Sequence, residues 1–140
     1  MKKITPFLWF DNNAEQAIDF YLSIFKNGRK INANRFEIEG QEFMVLNGGP
    51  MFKFNEAISL FVDCKDQQEV DELWSKLTEG GSESRCGWLK DKFGLSWQII
   101  PTVLSDMLYD EDPVKAARVM DAMLTMGKID IAAIIKAYQG

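Results

Sequence analysis

The sequence contains no histidine and only two cysteines, Cys64 and Cys86, among its 140 residues. Without an imidazole, it cannot form a histidine-based serine or cysteine triad, an HExxH zinc site or any other His-ligated metal centre. Two cysteines without paired spacing are too few for a disulfide scaffold or a cysteine zinc site. These classes of protein are therefore excluded.

Long apolar runs and an excess of basic charge are also missing. No apolar stretch approaches the roughly 18 residues that a membrane helix needs, and residues 1–6 are not followed by the apolar core of a signal peptide. The formal net charge of −5 would cause repulsion from a phosphate backbone. We therefore expect a cytoplasmic protein that binds neither nucleic acid nor a membrane.

What the chain does have is a high content of hydrophobic residues, 46%, and of aromatic residues, 12%. A chain of 140 residues with this composition is long enough to bury a sizeable core. Disorder, coiled coil and collagen do not fit such a composition. The sequence favours one compact domain.

A strand and an amphipathic helix open the chain. Apolar and aromatic residues on both faces of 4–10 predict a strand that is buried on both sides. Apolar residues then recur at helical spacing over 14–25, and Asn13 with Gln16 is typical of a capping box. This helix is predicted to end near Gly28.

The same order of features returns about fifty residues later. Residues 57–62 predict a second strand, and the helix after it has Asp66 and Glu69 as its capping box. Aligned positions in the two halves keep a constant offset of 52, which indicates a duplicated unit. The aligned pairs are Thr5 with Ala57, Ile18 with Val70, Tyr21 with Leu73, Leu22 with Trp74, and Phe25 with Leu77.

Short strand-like runs follow each predicted helix. They cover 30–38 and 41–46 in the first half, and 88–89 and 95–100 in the second. Each half is therefore predicted to contain a strand, a helix, and then two or three further strands.

Helices are predicted beyond Pro101. Asp112 followed by Pro113 is typical of a helix start, and Asp130 is a predicted N-cap for the last helix. The apolar faces of these helices must be covered by the sheet or by a second subunit. Met120, Met123 and Met126 recur every third residue, and we expect part of this surface to lie in a dimer interface.

Several motifs resemble one family. The run CGWLKDKFGLSWQIIP at 86–101 and LNGGP at 46–50, with 52–54 and 56–59, are similar to the PhnB-like, or 3-demethylubiquinone-9 3-methyltransferase-like, branch of the vicinal oxygen chelate superfamily. This superfamily includes glyoxalases and bleomycin-resistance proteins. The resemblance extends over essentially the whole chain, including the C-terminal helices.

The resemblance implies an α+β fold of tandem βαβββ modules whose sheets curl around a cavity. The modules correspond to about 1–50 and 53–101, and a helical tail to 102–140. The resemblance also implies a homodimer.

Members of the superfamily hold a divalent metal at the start of the first strand and within the last strand of each module. In this chain the strand-start positions are Thr5 and Ala57, and the last-strand positions are Met44 and Gln98. None of these side chains is a carboxylate or an imidazole. We therefore predict no metal and no other cofactor, which argues against glyoxalase or dioxygenase activity.

The methyltransferase name of this branch has no support in the motifs. A Rossmann-type adenosylmethionine site needs a glycine-rich turn between a strand and a helix. Gly48 and Gly49 follow a predicted strand, but residues 51–54 are predicted to be extended.

Aromatic side chains on the predicted sheets are candidates for lining a cavity that holds a small-molecule ligand. The alternatives are that they fill the core, and that Asn47 is a turn residue. Alternation places Gln98 on the inward face of its strand with Ser96 and Ile100. The predicted ligand-binding residues are Phe7, Trp9, Asn47, Phe54, Glu56, Trp88, Trp97 and Gln98.

Glu56 is the one candidate for catalysis, as a general base if burial raises its pKa. The alternative is a solvated charge at a strand end. Cys86 is predicted to be an inert thiol, and residues 90–92 to be a solvated hairpin.

The function that the sequence favours is metal-independent binding of an unidentified small molecule in an aromatic cavity. The first alternative is an enzyme of the superfamily, with lyase, isomerase or transferase chemistry, that uses Glu56 and Gln98. The second is a structural or regulatory protein whose cavity is packed shut by Trp9, Trp88 and Trp97.

Overall fold

The computed structural model describes residues 2–140, which contain five helices and eight strands. The chain divides into two compact units, one ending at Phe54 and the other running Asn55–Gly140. Within residues 2–140, no helix has the length and apolarity that crossing a membrane requires.

The first unit contains one βαβββ module. Its sheet has the strand order β1-β4-β3-β2, in which β1 and β4 are parallel and the other pairs are antiparallel. A parallel pair needs a long connection, which α1, β2 and β3 supply here. The elements are β1 (Phe7–Phe10), α1 (Ala14–Ile24), β2 (Gly28–Asn32), β3 (Arg35–Ile38) and β4 (Gln41–Asn47).

The core of the first unit lies between α1 and one face of this sheet. Tyr21 of α1 stacks on Phe36, which stacks in turn on Phe43, with ring centroids 6.0 and 5.1 Å apart. The prediction that β1 is buried on both sides is wrong, because Phe7 is 53% exposed. Successive side chains of a strand point to opposite faces, and in β1 it is Leu8 that is buried with the core.

The capping box predicted for α1 is also wrong. The Asn13 side chain makes no capping hydrogen bond, and α1 ends at Ile24 rather than near Gly28. Instead, Ala14 N donates to Asn47 Oδ1 at 2.9 Å. Asn47 at the end of β4 therefore satisfies a free amide in the first turn of the helix.

The second unit repeats the module. Its sheet has the order β5-β8-β7-β6, again with the first pair parallel. The predicted N-cap of α2 is confirmed, since Glu69 N donates to Asp66 Oδ1 at 2.9 Å. The Glu69 side chain accepts from Lys65 N at 3.1 Å, one residue before the N-cap amide that a capping box uses. The elements are β5 (Ser59–Cys64), α2 (Gln67–Thr78), β6 (Ser82–Glu83), β7 (Trp88–Lys90) and β8 (Ser96–Pro101).

The strand registers confirm the predicted tandem βαβββ architecture. Phe7 pairs with Met44 in the first sheet and Ser59 with Ser96 in the second, so both partners are displaced by the same 52 positions. The same register makes Leu46 the counterpart of Gln98, and the assignment of Met44 is therefore wrong. The reason is that β4 begins directly after Gly40, so a count from the turn glycine does not transfer between the modules.

The C-terminal tail of the second unit consists of α3 (Thr102–Leu108), α4 (Pro113–Met123) and α5 (Ile131–Gln139). The predicted caps are confirmed, because Asp112 accepts from Val114 N and Asp130 accepts from Ala133 N. The tail has its own buried cluster, formed by Ile100, Leu104, Val119, Ile129 and Ile134. Of the three regularly spaced methionines, Met123 and Met126 pack against this cluster, whereas Met120 is 41% exposed.

Candidate functional site

The aromatic candidates of the first unit do not all lie together. Trp9 donates from Nε1 to Gly49 O at 2.9 Å and packs edge-to-face on Phe52, with centroids 5.1 Å apart. Phe54 packs on Phe10 instead, which points to the opposite face of β1 from Trp9. The structure therefore separates Phe54 from Trp9, and Asn47 is occupied in capping α1.

A cleft of about 230 Å³ lies on the sheet of the second unit. The cleft forms over one face of this four-stranded sheet, the cleft face. The cleft face carries Ser59, Trp88, Lys90, Ser96 and Gln98. The residues that line the cleft are Glu56, Ser82, Glu83, Ser84, Trp88, Leu89, Lys90 and Ser96.

The strand register places polar side chains in a row across the cleft face. Lys90 of β7 pairs with Ser82 of β6 on one side and with Ser96 of β8 on the other. Ser96 in turn pairs with Ser59 of β5. Side chains at paired positions share a face, so an ammonium group lies in one row with three hydroxyl groups.

A neighbouring row contains two of the predicted residues. Trp88 pairs with Gln98, whose Nε2 donates to Ser59 Oγ at 2.9 Å. The half-buried indole of Trp88 forms an apolar wall of the cleft. The structure thus brings Trp88 and Gln98 onto one face, as their places in β7 and β8 require.

Ser96 was not among the predicted ligand-binding residues. Its side chain lines the cleft, the residue is only 1% exposed, and Oγ has no hydrogen-bond partner. A buried hydroxyl without a partner costs about 1–3 kcal/mol, and such groups are rare in folded proteins. Alternation with Gln98 was the signal in the sequence that could have identified Ser96 as a site residue.

Glu56 forms an ion pair with Lys90. The hydrogen bond from Lys90 lowers the pKa of the Glu56 carboxyl below its usual value, and the side chain is 61% exposed. The general-base role depended on burial that raises this pKa. The structure contradicts that condition, because the carboxylate is solvated and stabilised in its charged form.

Trp97 and Asp91 belong to the core of the second unit. Trp97 is 1% exposed, alternates with Gln98 along β8, and donates from Nε1 to Asp91 Oδ2 at 2.9 Å. Asp91 Oδ1 accepts from Phe93 N at 2.9 Å and from Leu95 N at 3.1 Å. The prediction of a solvated hairpin is therefore wrong for Asp91, which is only 2% exposed.

The residues at the superfamily's metal positions do not fit a divalent cation. Thr5, Leu46, Ala57 and Gln98 provide no carboxylate, and the Gln98 amide nitrogen is a donor to Ser59. Within residues 2–140, no group of three Cys, Asp or Glu side chains is placed to hold a metal ion.

The methyltransferase chemistry has no matching turn in the described residues. Gly48 and Gly49 follow β4, but no helix lies between Asn47 and Ser59, where β5 begins. A Rossmann-type site would need a helix directly after such a turn.

A protein-family model described as 3-demethylubiquinone-9 3-methyltransferase matches residues 2–35 and 28–100. The chain belongs to this family. None of the curated proteins compared with the chain matches it. The family match ends at residue 100, so the C-terminal helices lie outside it, although the resemblance was expected to include them.

Two solved structures are similar to this family member. A PhnB protein from Bacillus cereus is 32% identical with a TM-score of 0.65, and the match covers 72% of this chain and 100% of that chain. Protein PA1353 from Pseudomonas aeruginosa is 18% identical with a TM-score of 0.60, and the match covers 72% of this chain and 98% of that chain. The second likeness shows a shared fold alone.

Proposed function

We propose that this protein binds a small, uncharged ring compound in the cleft of its second unit, without a metal. The observation that carries the proposal is the buried Ser96 hydroxyl, which lines the cleft and has no partner. A ligand hydroxyl, carbonyl or amide group would supply the missing hydrogen bond, because a serine hydroxyl both donates and accepts.

The size and the wall of the cleft favour a single ring. Ligand pockets for drug-sized molecules measure about 300–1,000 Å³, and this cleft measures about 230 Å³. The indole of Trp88 offers a planar apolar surface on which a ring can stack.

The charges around the cleft disfavour an anion. Lys90 is the only cation that lines the cleft within the described residues, and Glu56 already pairs with it. The Glu83 carboxylate does not offset this pairing, because Glu83 pairs with Leu89 on the opposite face of the sheet and accepts a hydrogen bond from Trp74 Nε1 at 2.7 Å. An anionic ligand would therefore have to displace Glu56 from Lys90.

The superfamily's enzyme chemistry with Glu56 and Gln98 is the less favoured function. Glu56 is a weaker base than an unperturbed carboxylate because Lys90 lowers its pKa. Gln98 does not titrate, and its amide nitrogen is used by Ser59. Ligand binding does not require Glu56 or Gln98 to accept or donate a proton.

Replacing Ser96 by alanine is expected to weaken benzamide binding about tenfold, because one buried hydrogen bond is lost. The unliganded protein should not lose stability, since the removed hydroxyl has no partner. Chemical-shift titration of the full chain with benzamide measures the affinity, and urea unfolding measures the stability. Benzoate, which has nearly the same shape but carries a negative charge, should bind at least tenfold more weakly than benzamide to the wild-type protein.

Ser75→Ala is the matched control, because Ser75 is exposed in α2 and does not line the cleft. Equal binding of benzoate and benzamide would contradict the proposed selection against anions. Absence of benzamide shifts at Trp88 and Ser96 would contradict the proposed site. An affinity unchanged in Ser96→Ala would show that its hydroxyl is not the ligand contact.

We also propose the homodimer that the family resemblance implies, with exposed aromatic side chains of the first unit in the interface. Phe7 is 53% exposed and Phe52 60% exposed, and Phe52 packs on Trp9, which shares a face of β1 with Phe7. Exposed apolar patches are typical of interfaces. Sedimentation velocity should show a dimer for the wild-type protein and a monomer for Phe7→Ser with Phe52→Ser. Tyr109→Ser is the control at an exposed aromatic position of the tail, and a monomeric wild type would disprove the dimer.

A further inference from the structure

A tight turn carries two lining residues of the cleft. In the turn formed by residues 84–88, Ser84 N donates to Trp88 O and Trp88 N donates to Arg85 O, both at 3.0 Å. At its tip, Cys86 has φ 59° and Gly87 has φ 83°. A left-handed conformation is unfavourable for a residue such as Cys86, so the turn needs support from its surroundings.

That support comes from the tail loop, defined here as residues 126–131, which lead from the end of α4 to the first residue of α5. Cys86 N donates to Met126 O and Gly87 N donates to Gly127 O, both at 2.8 Å. Ile129 lies against Gly87, where an added Cβ would meet the Ile129 Cγ1 at 3.2 Å. The tip of the turn is thus fixed by two hydrogen bonds and by packing against one segment.

The tail loop is held in turn by α2. The Gln67 side chain donates from Nε2 to Ile129 O at 2.9 Å, and its Oε1 accepts from Ile131 N at 2.8 Å. Lys128 of the loop forms an ion pair with Asp71 of the same helix at 2.8 Å. The Gln67 amide therefore binds the loop through both its nitrogen and its oxygen.

We propose that the tail loop is a positioning segment of the cleft, with Gln67 holding the loop and the loop fixing the turn that sets Trp88. The ligand-binding part of this proposal rests on the proposed function. The family match ends at residue 100, so the loop adds a support for the cleft that lies outside the matched part of the chain. Ligand preference would then depend on the tail as well as on the module.

Gln67→Ala in the full chain tests the link. Hydrogen exchange at the Cys86 and Gly87 amides should become about tenfold faster, while the Leu95 amide, which is bound to Asp91, keeps its protection. Benzamide affinity should fall at least threefold. Gln68→Ala is the matched control, because Gln68 is the next residue of α2 and is exposed.

The cysteines provide a second readout. Burial raises the pKa of the Cys64 thiol to about 12, so at pH 8 it stays protonated and unreactive. Cys86 is half-buried, and its alkylation by iodoacetamide reports on opening of the turn. We expect its alkylation rate to rise about tenfold in Gln67→Ala and to remain unchanged in Gln68→Ala.

Equal acceleration of exchange at Cys86, Gly87 and Leu95 would overturn the proposal, because it would show only a general loss of stability. Unchanged exchange at Cys86 and Gly87 would also overturn it. If Gln67→Ala does not fold, Lys128→Ala should give a smaller change in the same direction. A wild-type protein that fails to bind benzamide would contradict the proposed function alone, since the exchange and alkylation rates do not depend on the ligand.

Discussion

Replacing Asp91 by alanine is expected to lower the free energy of unfolding by about 4 kcal/mol. The carboxylate is buried and accepts hydrogen bonds from Phe93 N, Leu95 N and Trp97 Nε1. Each buried donor that loses its acceptor costs about 1–3 kcal/mol, and the separate losses are not additive. Urea unfolding followed by circular dichroism measures the change.

Asp91→Asn removes the negative charge of this side chain but keeps its shape. The amide retains one acceptor oxygen, but its NH₂ group faces a donor, so the expected loss is about half of that in Asp91→Ala. Asp106→Ala is the control in the same unit, because Asp106 is exposed in α3, and it should unfold like the wild type. Wild-type stability in Asp91→Ala would show that this carboxylate does not organise the β7–β8 turn.

Asp91 illustrates what the sequence does not reveal. The Lys90-Asp91-Lys92 run has the composition of a solvated turn, and charged residues are seldom buried. The groups that satisfy Asp91 are two backbone amides of its own turn and the indole of Trp97. No local pattern specifies that an indole six positions away turns back to it, so the burial follows from tertiary structure.

The cap of α1 was mispredicted for the same reason. Asn13 has the residue type and the spacing of an N-cap, yet the bond to Ala14 N comes from Asn47, at the far end of the module. The N-cap at Asp66 was predicted correctly because its partner, Glu69 N, is local, and Glu69 also accepts from a neighbouring amide, that of Lys65. Sequence patterns thus predicted the contacts within a helix turn better than those between elements.

The tandem modules were predictable because the duplication extends over strands and helix of each module rather than over one local motif. In the parallel strand pairs, Phe7 pairs with Met44 in the first module. The two residues 52 positions further on, Ser59 and Ser96, pair in the second. Part of the site was predictable as well. Alternation along β8 already places Trp97 on the opposite face from Gln98, so the two could not both line one face of the sheet.

The partner of Glu56 was not predictable. Lys90 lies 34 positions further along the chain, on β7, which β8 separates from β5 in the sheet, so no local pattern relates it to Glu56. The lowered pKa of Glu56, and with it the weaker case for catalysis, therefore emerged only from the three-dimensional structure.

Gly81→Ala is expected to cost at least about 3 kcal/mol in unfolding free energy, near the upper end for overpacking. An added Cβ would overlap the Lys90 carbonyl oxygen and lie 2.7 Å from the carbonyl carbon and 3.0 Å from the Cα of Asp91. All of these are backbone atoms of the β7–β8 hairpin, so no side-chain rotation relieves the overlap. Thermal and urea unfolding measure the loss of stability.

The same substitution is expected to abolish benzamide binding, because Gly81 directly precedes Ser82, which pairs with Lys90 on the cleft face. Moving β6 away from β7 would separate Ser82 from Lys90 and widen the cleft. Glu79→Ala is the control, since Glu79 lies two positions earlier in the same connection, is exposed and does not line the cleft. Wild-type stability in Gly81→Ala would mean that β6 can shift without cost, and the cleft face would then not depend on close packing at this glycine.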